Sequence, residues 1–240
     1  MPQRSDKIIV ALDVDSVDNA ESIIAEIGNS VGAFKIGLQL FTAAGPGYVS
    51  RLAERGIRVF LDLKFHDIPN TVAKAAVEAS KFGVWMMNVH ASGGGEMMKR
   101  TVAAVAENCE KERIQKPLII AVTVLTSSNE ETLREIGVDQ DVEKQVVKLA
   151  QLAAESGMDG VVASPREVGL IRRAVVEPNF LTVTPGIRPK VATLDDQKRV
   201  TTFGQALANG SDYVVIGRPI TQATDRRAAL GSILNEVESS

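Results

Sequence analysis

The segment Phe60-Leu-Asp-Leu-Lys-Phe-His-Asp-Ile-Pro69 decides the fold prediction. An apolar strand ends in charged residues here, just before a helix begins. Because side chains two apart in a strand point to the same face, Asp62 and Lys64 are expected to project side by side, with Asp67 in the turn that follows. Crowded charges cost desolvation and repulsion unless they pair or meet a ligand. The segment therefore predicts a strand-to-helix unit that carries chemistry at its junction.

The same order of elements repeats along the chain, where short runs rich in Ile, Val and Leu alternate with longer segments of helical period. The predicted strands are Lys7–Leu12, Ala33–Ile36, Arg58–Leu63, Trp85–Val89, Leu118–Val122, Gly160–Val162, Leu181–Val183 and Tyr213–Ile216. The predicted helices are Val17–Ile27, Gly47–Arg55, Thr71–Phe82, Glu96–Glu107, Val142–Glu155, Arg166–Ala174, Lys198–Ala208 and Thr221–Val237. Strict alternation indicates βαβ units and a parallel sheet covered on both faces.

Eight such units in 240 residues favour a closed (β/α)8 TIM barrel, one domain over residues 1–240, rather than an open doubly wound sheet. The glycine-rich dinucleotide fingerprint is missing after the first strand, where the sequence is ALDVDSVDN. A barrel places functional residues at the C-terminal ends of its strands. The polar residues at those ends are Asp13, Lys35, Asp62, Lys64, His90, Thr126, the segment Thr184–Pro189, Gly217 and Arg218.

Composition narrows the function classes. The net charge of −3 and the 4% aromatic content argue against a nucleic acid partner. The single cysteine, Cys109, rules out an intramolecular disulfide and a multi-cysteine metal site, and it is expected to be a partly buried small residue. No apolar run has the length of a signal h-region or a membrane span, so we expect a cytoplasmic protein without a membrane partner.

A charged network is predicted at the barrel mouth. Lys35 lies in an otherwise apolar strand, and with Asp62, Lys64 and Asp67 it would form an alternating Lys-Asp-Lys-Asp set in which each charge stabilises its neighbours. Simpler interpretations remain open at this point. The Asp62–Lys64 contact would serve as a structural ion pair, Lys35 would reach solvent, Asp67 would cap a helix, and Asp13 would end a strand.

The loops after strands seven and eight are candidates for a phosphate site. Gly186 and Gly217 allow close approach of the backbone to an anion, and Arg188 and Arg218 supply forked donors suited to phosphate. Plain turns are the alternative. The polar stretch Arg188–Arg199 is long for such a loop and suggests a lid from which Gln197 would reach the ligand.

The remaining polar candidates are less specific. Thr126 and Ser127 follow strand five, where they would either contact a ligand or cap the next segment. His66 and His90 lack an obvious third ligand, so no metal site is predicted. The single tryptophan, Trp85, and the six methionines are expected in the core.

Seven segments together resemble the orotidine 5'-phosphate decarboxylase family in its bacterial form, over nearly the whole chain. They are ALDVD, FKIGLQLF, LDLKFHDIPNTV, NVHASGG, AVTVLTS, TVTPGIRP and VVIGRPIT. The Asp-x-Lys-x-x-Asp block alone would be less specific, because related sugar-phosphate decarboxylases and synthases share it. Those relatives typically carry an acidic metal ligand near the end of strand two, where this chain has Lys35.

The resemblance implies a barrel homodimer that converts orotidine 5'-phosphate to UMP and CO2 without metal or organic cofactor. Lys64 would donate a proton to C6, with Asp62, Lys35 and Asp67 completing the network. Asp67 and Ile68 would reach into the partner subunit's site. The other implied contacts are Asp13 and Thr71 with Lys35 on the ribose side, Thr126 and Ser127 at the pyrimidine edge, and Arg188, Gln197, Gly217 and Arg218 at the phosphate.

Two rival functions stay open. One is a metal-dependent sugar-phosphate decarboxylase or aldol-type lyase on the same scaffold. The other is a non-catalytic nucleotide-binding barrel that senses UMP.

Overall fold

The computed structural model of the chain describes residues 3–188 and 201–236. Eight parallel strands form a closed barrel in which each strand pairs with the next and the last pairs with the first. They are β1 Ile8–Ala11, β2 Ala33–Gly37, β3 Val59–Phe65, β4 Met86–His90, β5 Leu118–Val122, β6 Gly160–Val162, β7 Leu181–Pro185 and β8 Tyr213–Ile216. The predicted (β/α)8 barrel is confirmed.

Helices cover the outside of the barrel. They are α1 Val17–Ile27, α2 Leu38–Ala44, α3 Pro46–Glu54, α4 Pro69–Ser80, α5 Gly95–Glu112, α6 Glu130–Glu135, α7 Val142–Glu155, α8 Val168–Ala174, α9 Phe203–Ala208, α10 Arg218–Thr221 and α11 Arg226–Asn235. Short 3-10 turns occupy Arg4–Lys7, Gly28–Ser30 and Ala91–Gly93. No helix in the described ranges combines the length and apolar character needed to cross a bilayer.

The strands are apolar on both faces because each face is buried against a different layer. Residues that point inward fill the barrel, including Ile9, Phe60, Met86, Ile120 and Val215. Those that point outward join a larger cluster under the helices. Since the interior is packed with side chains, ligand space is left only above this layer, at the C-terminal ends of the strands.

Strand β3 differs from its prediction. It continues to Phe65 instead of ending at Leu63, so Lys64 lies inside the strand rather than at its end. Its pairing with β4 shifts between Leu61 and Phe65, which are opposite Met87 and Val89, respectively. Three residues of β3 therefore face a single residue of β4, and the strand bulges. Lys64 takes a left-handed backbone conformation in this bulge, with φ of 52°.

Several helix bounds also differ. The predicted helix Gly47–Arg55 is preceded by an unpredicted one, α2, and the two are separated at Gly45, whose φ is 73°. The unpredicted α6 follows β5. The prediction Thr221–Val237 is divided between α10 and α11, since the Asp225 side chain caps α11 by accepting the Ala228 N–H. Val237 and the start of the prediction Lys198–Ala208 lie outside the described residues.

The N-terminal end of the barrel is closed by aromatic side chains. Trp85 precedes β4 and packs edge-on against Tyr213 at the start of β8, with ring centroids 5.0 Å apart. The Arg58 guanidinium lies over the Trp85 ring, 5.9 Å from the ring centroid, which is within the range of a cation–π contact. Trp85 is half-buried against the interior cluster. Cys109 on α5 is buried, whereas partial burial was predicted.

Candidate active site

A cavity of about 350 Å³ opens at the C-terminal ends of the strands. It brings together residues that are far apart in sequence, which supports the expectation that polar residues gather on this rim. The predicted site residues that line it are Asp13, Lys35, Asp62, Lys64, Thr126, Arg188, Gly217 and Arg218. Its apolar floor comes from the inner layer of the barrel and includes Ala11, Phe60, Val122, Val162 and Val215.

Four of these side chains form an alternating chain of charges. The Lys35 Nζ lies 2.9 Å from Asp13 Oδ1 and 3.2 Å from Asp62 Oδ2. The Lys64 Nζ lies 2.6 Å from Asp62 Oδ1. The side chains of Lys35 and Asp62 are each 11% exposed, whereas that of Lys64 is 30% exposed and that of Asp13 61%. The ammonium of Lys64 is thus held at the cavity by a buried carboxylate.

The network offsets the cost of burying its own charges. Burial alone would lower the pKa of Lys35, but the nearby charges of Asp62 and Asp13 outweigh it and raise the pKa above its usual value. Burial likewise favours the neutral form of Asp62, yet the charges of Lys35 and Lys64 hold its pKa below the usual range. Lys35 is therefore protonated and Asp62 ionised at neutral pH.

Asn88 on β4 is a member of the site that the sequence prediction missed. It is fully buried, and its Nδ2 donates to Asp62 Oδ1 at 2.7 Å. Its Oδ1 accepts the backbone N–H of Lys64 at 2.8 Å. A signal for it was present, because an amide side chain interrupts the apolar run of the predicted strand Trp85–Val89.

The loop after β3 stands apart from the cavity. Asp67, Ile68 and Thr71 are exposed and do not line it. The Asp67 carboxylate accepts the N–H of Ile68 at 2.6 Å, and within the described part of one chain it forms no ion pair with Lys35 or Lys64. Asp67 is also not the cap of α4, whose N-cap position is Ile68. In a single chain, the second carboxylate of the charge chain is Asp13, which pairs with Lys35, and not Asp67, which was predicted beside Lys64.

The loops after β7 and β8 form the other side of the cavity. Arg188 is half-buried there and Arg218 is exposed. Gly186 has a φ of 84°, a conformation in which any other residue would be strained. Ser127 is exposed beside Thr126 without lining the cavity. Gln197 and the predicted lid beyond Arg188 lie outside the described residues.

The two histidines lie next to each other near the network. The ring centroids of His66 and His90 are 5.5 Å apart. Burial, followed by the charges of His66 and Lys64, lowers the pKa of His90. Among residues 3–188 and 201–236, no group of three or more acidic, histidine or cysteine side chains is arranged to hold a metal ion.

Replacing Lys35 by methionine is expected to destabilise the fold by about 3 kcal/mol or more, because it leaves the Asp62 carboxylate buried with one partner fewer. Lys144→Met is a matched control, since Lys144 also has an ion pair, at 2.7 Å from Asp141, but its side chain is 74% exposed. That control should change stability little. Urea unfolding followed by circular dichroism compares the two variants, and equal losses would contradict the proposed burial effect.

The destabilisation by Lys35→Met should also depend on pH. The lowered pKa of Asp62 gives stability that is present above the unfolded value of about 3.9 and is lost as pH falls through the folded value. The raised pKa of Lys35 gives stability that is present below about 10.4 and is lost as pH rises through the folded value. The difference between wild type and variant should therefore be constant from about pH 5 to 9 and shrink outside that range. Unfolding curves across pH would contradict this by showing a step near neutrality.

The chain is similar to known proteins over nearly its whole length. The chain matches the Orotidine 5'-phosphate decarboxylase / HUMPS family over residues 6–233. The orotidine 5'-phosphate decarboxylase of Syntrophotalea carbinolica is 54% identical over 231 residues, which cover 96% of this chain and 94% of the relative. The protein of the same name from Geobacter sulfurreducens is 52% identical over 235 residues, covering 98% and 97%.

A solved structure shares the fold as well. The crystal structure of orotidine 5'-phosphate decarboxylase from Lactobacillus acidophilus gives a TM-score of 0.83 at 37% identity, covering 96% of this chain and 98% of that chain. The family match includes every strand of the barrel and every described residue of the cavity. This chain therefore belongs to the orotidine 5'-phosphate decarboxylase / HUMPS family.

Proposed function

We propose that the cavity binds orotidine 5'-phosphate and converts it to UMP and CO2. Family membership and the names of relatives at about half identity support this activity. The observation that carries the proposal is the ammonium of Lys64, which lies at the cavity 2.6 Å from the buried carboxylate of Asp62. A fixed cation above an apolar floor is suited to a reaction that develops negative charge on a ring carbon.

In the proposed mechanism, the bond between C6 and the carboxyl carbon breaks and its electron pair stays on C6 as CO2 leaves. The ring delocalises this pair poorly, and the proposed reaction uses no metal or organic cofactor, so fixed charges of the protein stabilise it. The Lys64 ammonium attracts the developing charge and then transfers its proton to C6. Asp62 keeps Lys64 oriented, and Lys35 links Asp62 to Asp13.

One cation is not enough for a large acceleration. A single preorganised donor typically contributes about 3–4 kcal/mol to the barrier. Binding of the remote phosphate group is proposed to lower the barrier further, because it would close the site and exclude water. Arg188, Gly217 and Arg218 line the cavity side where the phosphate would bind, and Gln197 would join them from the lid. Repulsion between Asp62 and the substrate carboxylate, which ends when CO2 leaves, would add to this.

The remaining contacts follow the geometry of the rim. Thr126 lines the cavity above β5, where we place the pyrimidine edge, with Ser127 beside it. Asp13 and Lys35 lie above β1 and β2 and would hold the ribose hydroxyls. Thr71 is also proposed on the ribose side, although it does not line the cavity of its own chain. A role in nucleotide synthesis supports a cytoplasmic location.

We assign the active form to a homodimer in which Asp67 and Ile68 enter the partner subunit's cavity. Both residues are exposed on the loop after the β3 bulge, and Ile68 is 67% exposed although it is aliphatic. Asp67 has only its neighbour's N–H as a described partner, which leaves its second carboxylate oxygen available. An aliphatic residue beside an acidic one in an exposed loop fits an interface that also completes a site.

The proposed function is tested by following loss of orotidine 5'-phosphate by ultraviolet absorbance in the presence of a chelator. UMP and CO2 should form in equal amounts, at a rate that EDTA does not change. Activity that EDTA abolishes and a divalent metal restores would assign the chain to the metal-dependent lyases instead. Tight UMP binding without release of CO2 would assign it to nucleotide sensing.

A further inference from the structure

The bulge in β3 disturbs the pairing between β3 and β4. Three residues, Asp62 to Lys64, lie opposite the one residue Asn88, so the regular ladder of backbone hydrogen bonds is interrupted between these strands. The Lys64 N–H would lose its strand partner there, and a buried backbone donor without an acceptor is costly. The left-handed conformation of Lys64 adds backbone strain. Other contacts are therefore needed to stabilise the left-handed backbone of Lys64.

Asn88 supplies what the interrupted ladder lacks. Its Oδ1 accepts the Lys64 N–H at 2.8 Å and so stands in for a backbone carbonyl. Its Nδ2 donates at 2.7 Å to the same carboxylate oxygen of Asp62 that accepts from the Lys64 Nζ. One amide thus fixes both the backbone of the lysine and the carboxylate that orients its ammonium. The two partners set the orientation of the Asn88 amide, because the backbone N–H of Lys64 can only donate and the ionised Asp62 carboxylate can only accept.

We propose that Asn88 is a positioning residue for the decarboxylation, holding Lys64 and Asp62 in the geometry that the reaction needs. The inference rests on the proposed function of this site. Asn88 does not line the cavity, so it acts through its two neighbours and not on the substrate. It is fully buried, and its partner across β5 is the apolar Ile120, so no other described strand contact explains an amide here.

The substitution Asn88→Asp separates the two hydrogen bonds. An ionised Asp at this position can still accept the Lys64 N–H, but it cannot donate to Asp62. The substitution places a second carboxylate beside that of Asp62, so repulsion raises the pKa of the introduced carboxyl group. Once protonated, its O–H can donate to Asp62 and restore the lost bond. The charged and titratable groups around it are Asp62 and Lys64 of β3, Lys35 of β2 beyond Asp62, and His90 of β4 with His66 against it.

The experiment compares kcat, KM and UMP affinity for Asn88→Asp, Asn88→Ala and wild type from pH 5 to 8, on protein shown to be folded by circular dichroism. At pH 8 both variants should lose about 10²-fold in kcat, the size of effect expected from a small misplacement of a reacting group. KM and UMP affinity should change much less, because the phosphate side of the cavity is untouched. As pH falls, the ratio of Asn88→Asp to wild-type kcat should rise, whereas the ratio for Asn88→Ala should stay constant.

Asn19→Asp is the matched control. The Asn19 Nδ2 also donates to an aspartate, Asp15, at 2.8 Å, but it does so on the exposed surface of α1. This variant should keep wild-type kcat at every pH. The inference is overturned if Asn88→Asp keeps wild-type kcat, if its kcat ratio does not change with pH, or if Asn19→Asp shows the same pH dependence. A wild-type protein that does not decarboxylate orotidine 5'-phosphate would instead overturn the proposed function.

Discussion

The substitution Lys64→Ala is expected to lower kcat by about 10⁴-fold or more while the barrel remains folded. Two effects are lost together, the electrostatic stabilisation of the charge on C6 and the proton transfer that follows, and each alone typically accounts for at least about 10²-fold. The barrel should stay folded, although less stable, because the side chain is 30% exposed and outside the packed core and Asp62 keeps Lys35 and Asn88 as partners. Steady-state kinetics measures the loss, and circular dichroism with urea unfolding checks the fold.

Two further variants make this result specific. Lys64→Gly removes the same ammonium but relieves the left-handed strain, so it should be as inactive as Lys64→Ala and more stable. Lys81→Ala is the matched control, because that lysine also pairs with a carboxylate, Glu78 at 2.7 Å, but lies away from the cavity at the end of α4. Its kcat should be unchanged. Near-normal turnover by either Lys64 variant would remove this residue from the proposed mechanism.

A second large effect is expected from mixing two inactive variants. If Asp67 enters the partner subunit's cavity, Lys64→Ala and Asp67→Ala should each be nearly inactive as pure dimers. A hybrid dimer then contains one cavity with both residues intact and one with neither. Random exchange of equal amounts makes half of the dimers hybrid, so about a quarter of the wild-type activity should return from nearly none.

The control for this experiment comes from the charge network itself. Lys64 and Asp62 lie in the same cavity of one chain, so a mixture of Lys64→Ala and Asp62→Ala leaves every cavity in a hybrid damaged. That mixture should stay inactive. Exchange of subunits has to be demonstrated independently, for example by native mass spectrometry of differently tagged chains. Proven exchange without recovery by the Lys64→Ala and Asp67→Ala mixture would rule out a shared site.

The barrel itself could be predicted because its signals are local and repeated. Eight apolar runs that alternate with helical segments predict strands, and the polar residues at their C-terminal ends predict one rim. The bulge in β3 could not be predicted in this way. The apolar pattern changes at Asp62, yet the strand continues to Phe65 because the Asn88 side chain, from another strand, replaces the missing backbone partner.

The charge network, too, could be predicted only where its members are close in sequence. Asp62 and Lys64 are two residues apart, and their contact follows from strand periodicity. The pairing of Asp13 with Lys35 depends on the register between β1 and β2, where Ala11 lies beside Lys35. That register is set by packing across the barrel and is not visible in either segment alone. The short helix α2 was missed for a related reason, since its seven residues are too few to display a helical period.

The aromatic contact at the base of the barrel has a practical consequence. Trp85 is the only tryptophan, so the intrinsic fluorescence of the indole reports on the end of the molecule opposite the cavity. The fluorescence emission of Trp85 should change when its ring separates from Tyr213 during denaturation. Binding of a nucleotide in the cavity should leave the emission of Trp85 unchanged. Binding titrations would therefore need a fluorescent label near the C-terminal ends of the strands.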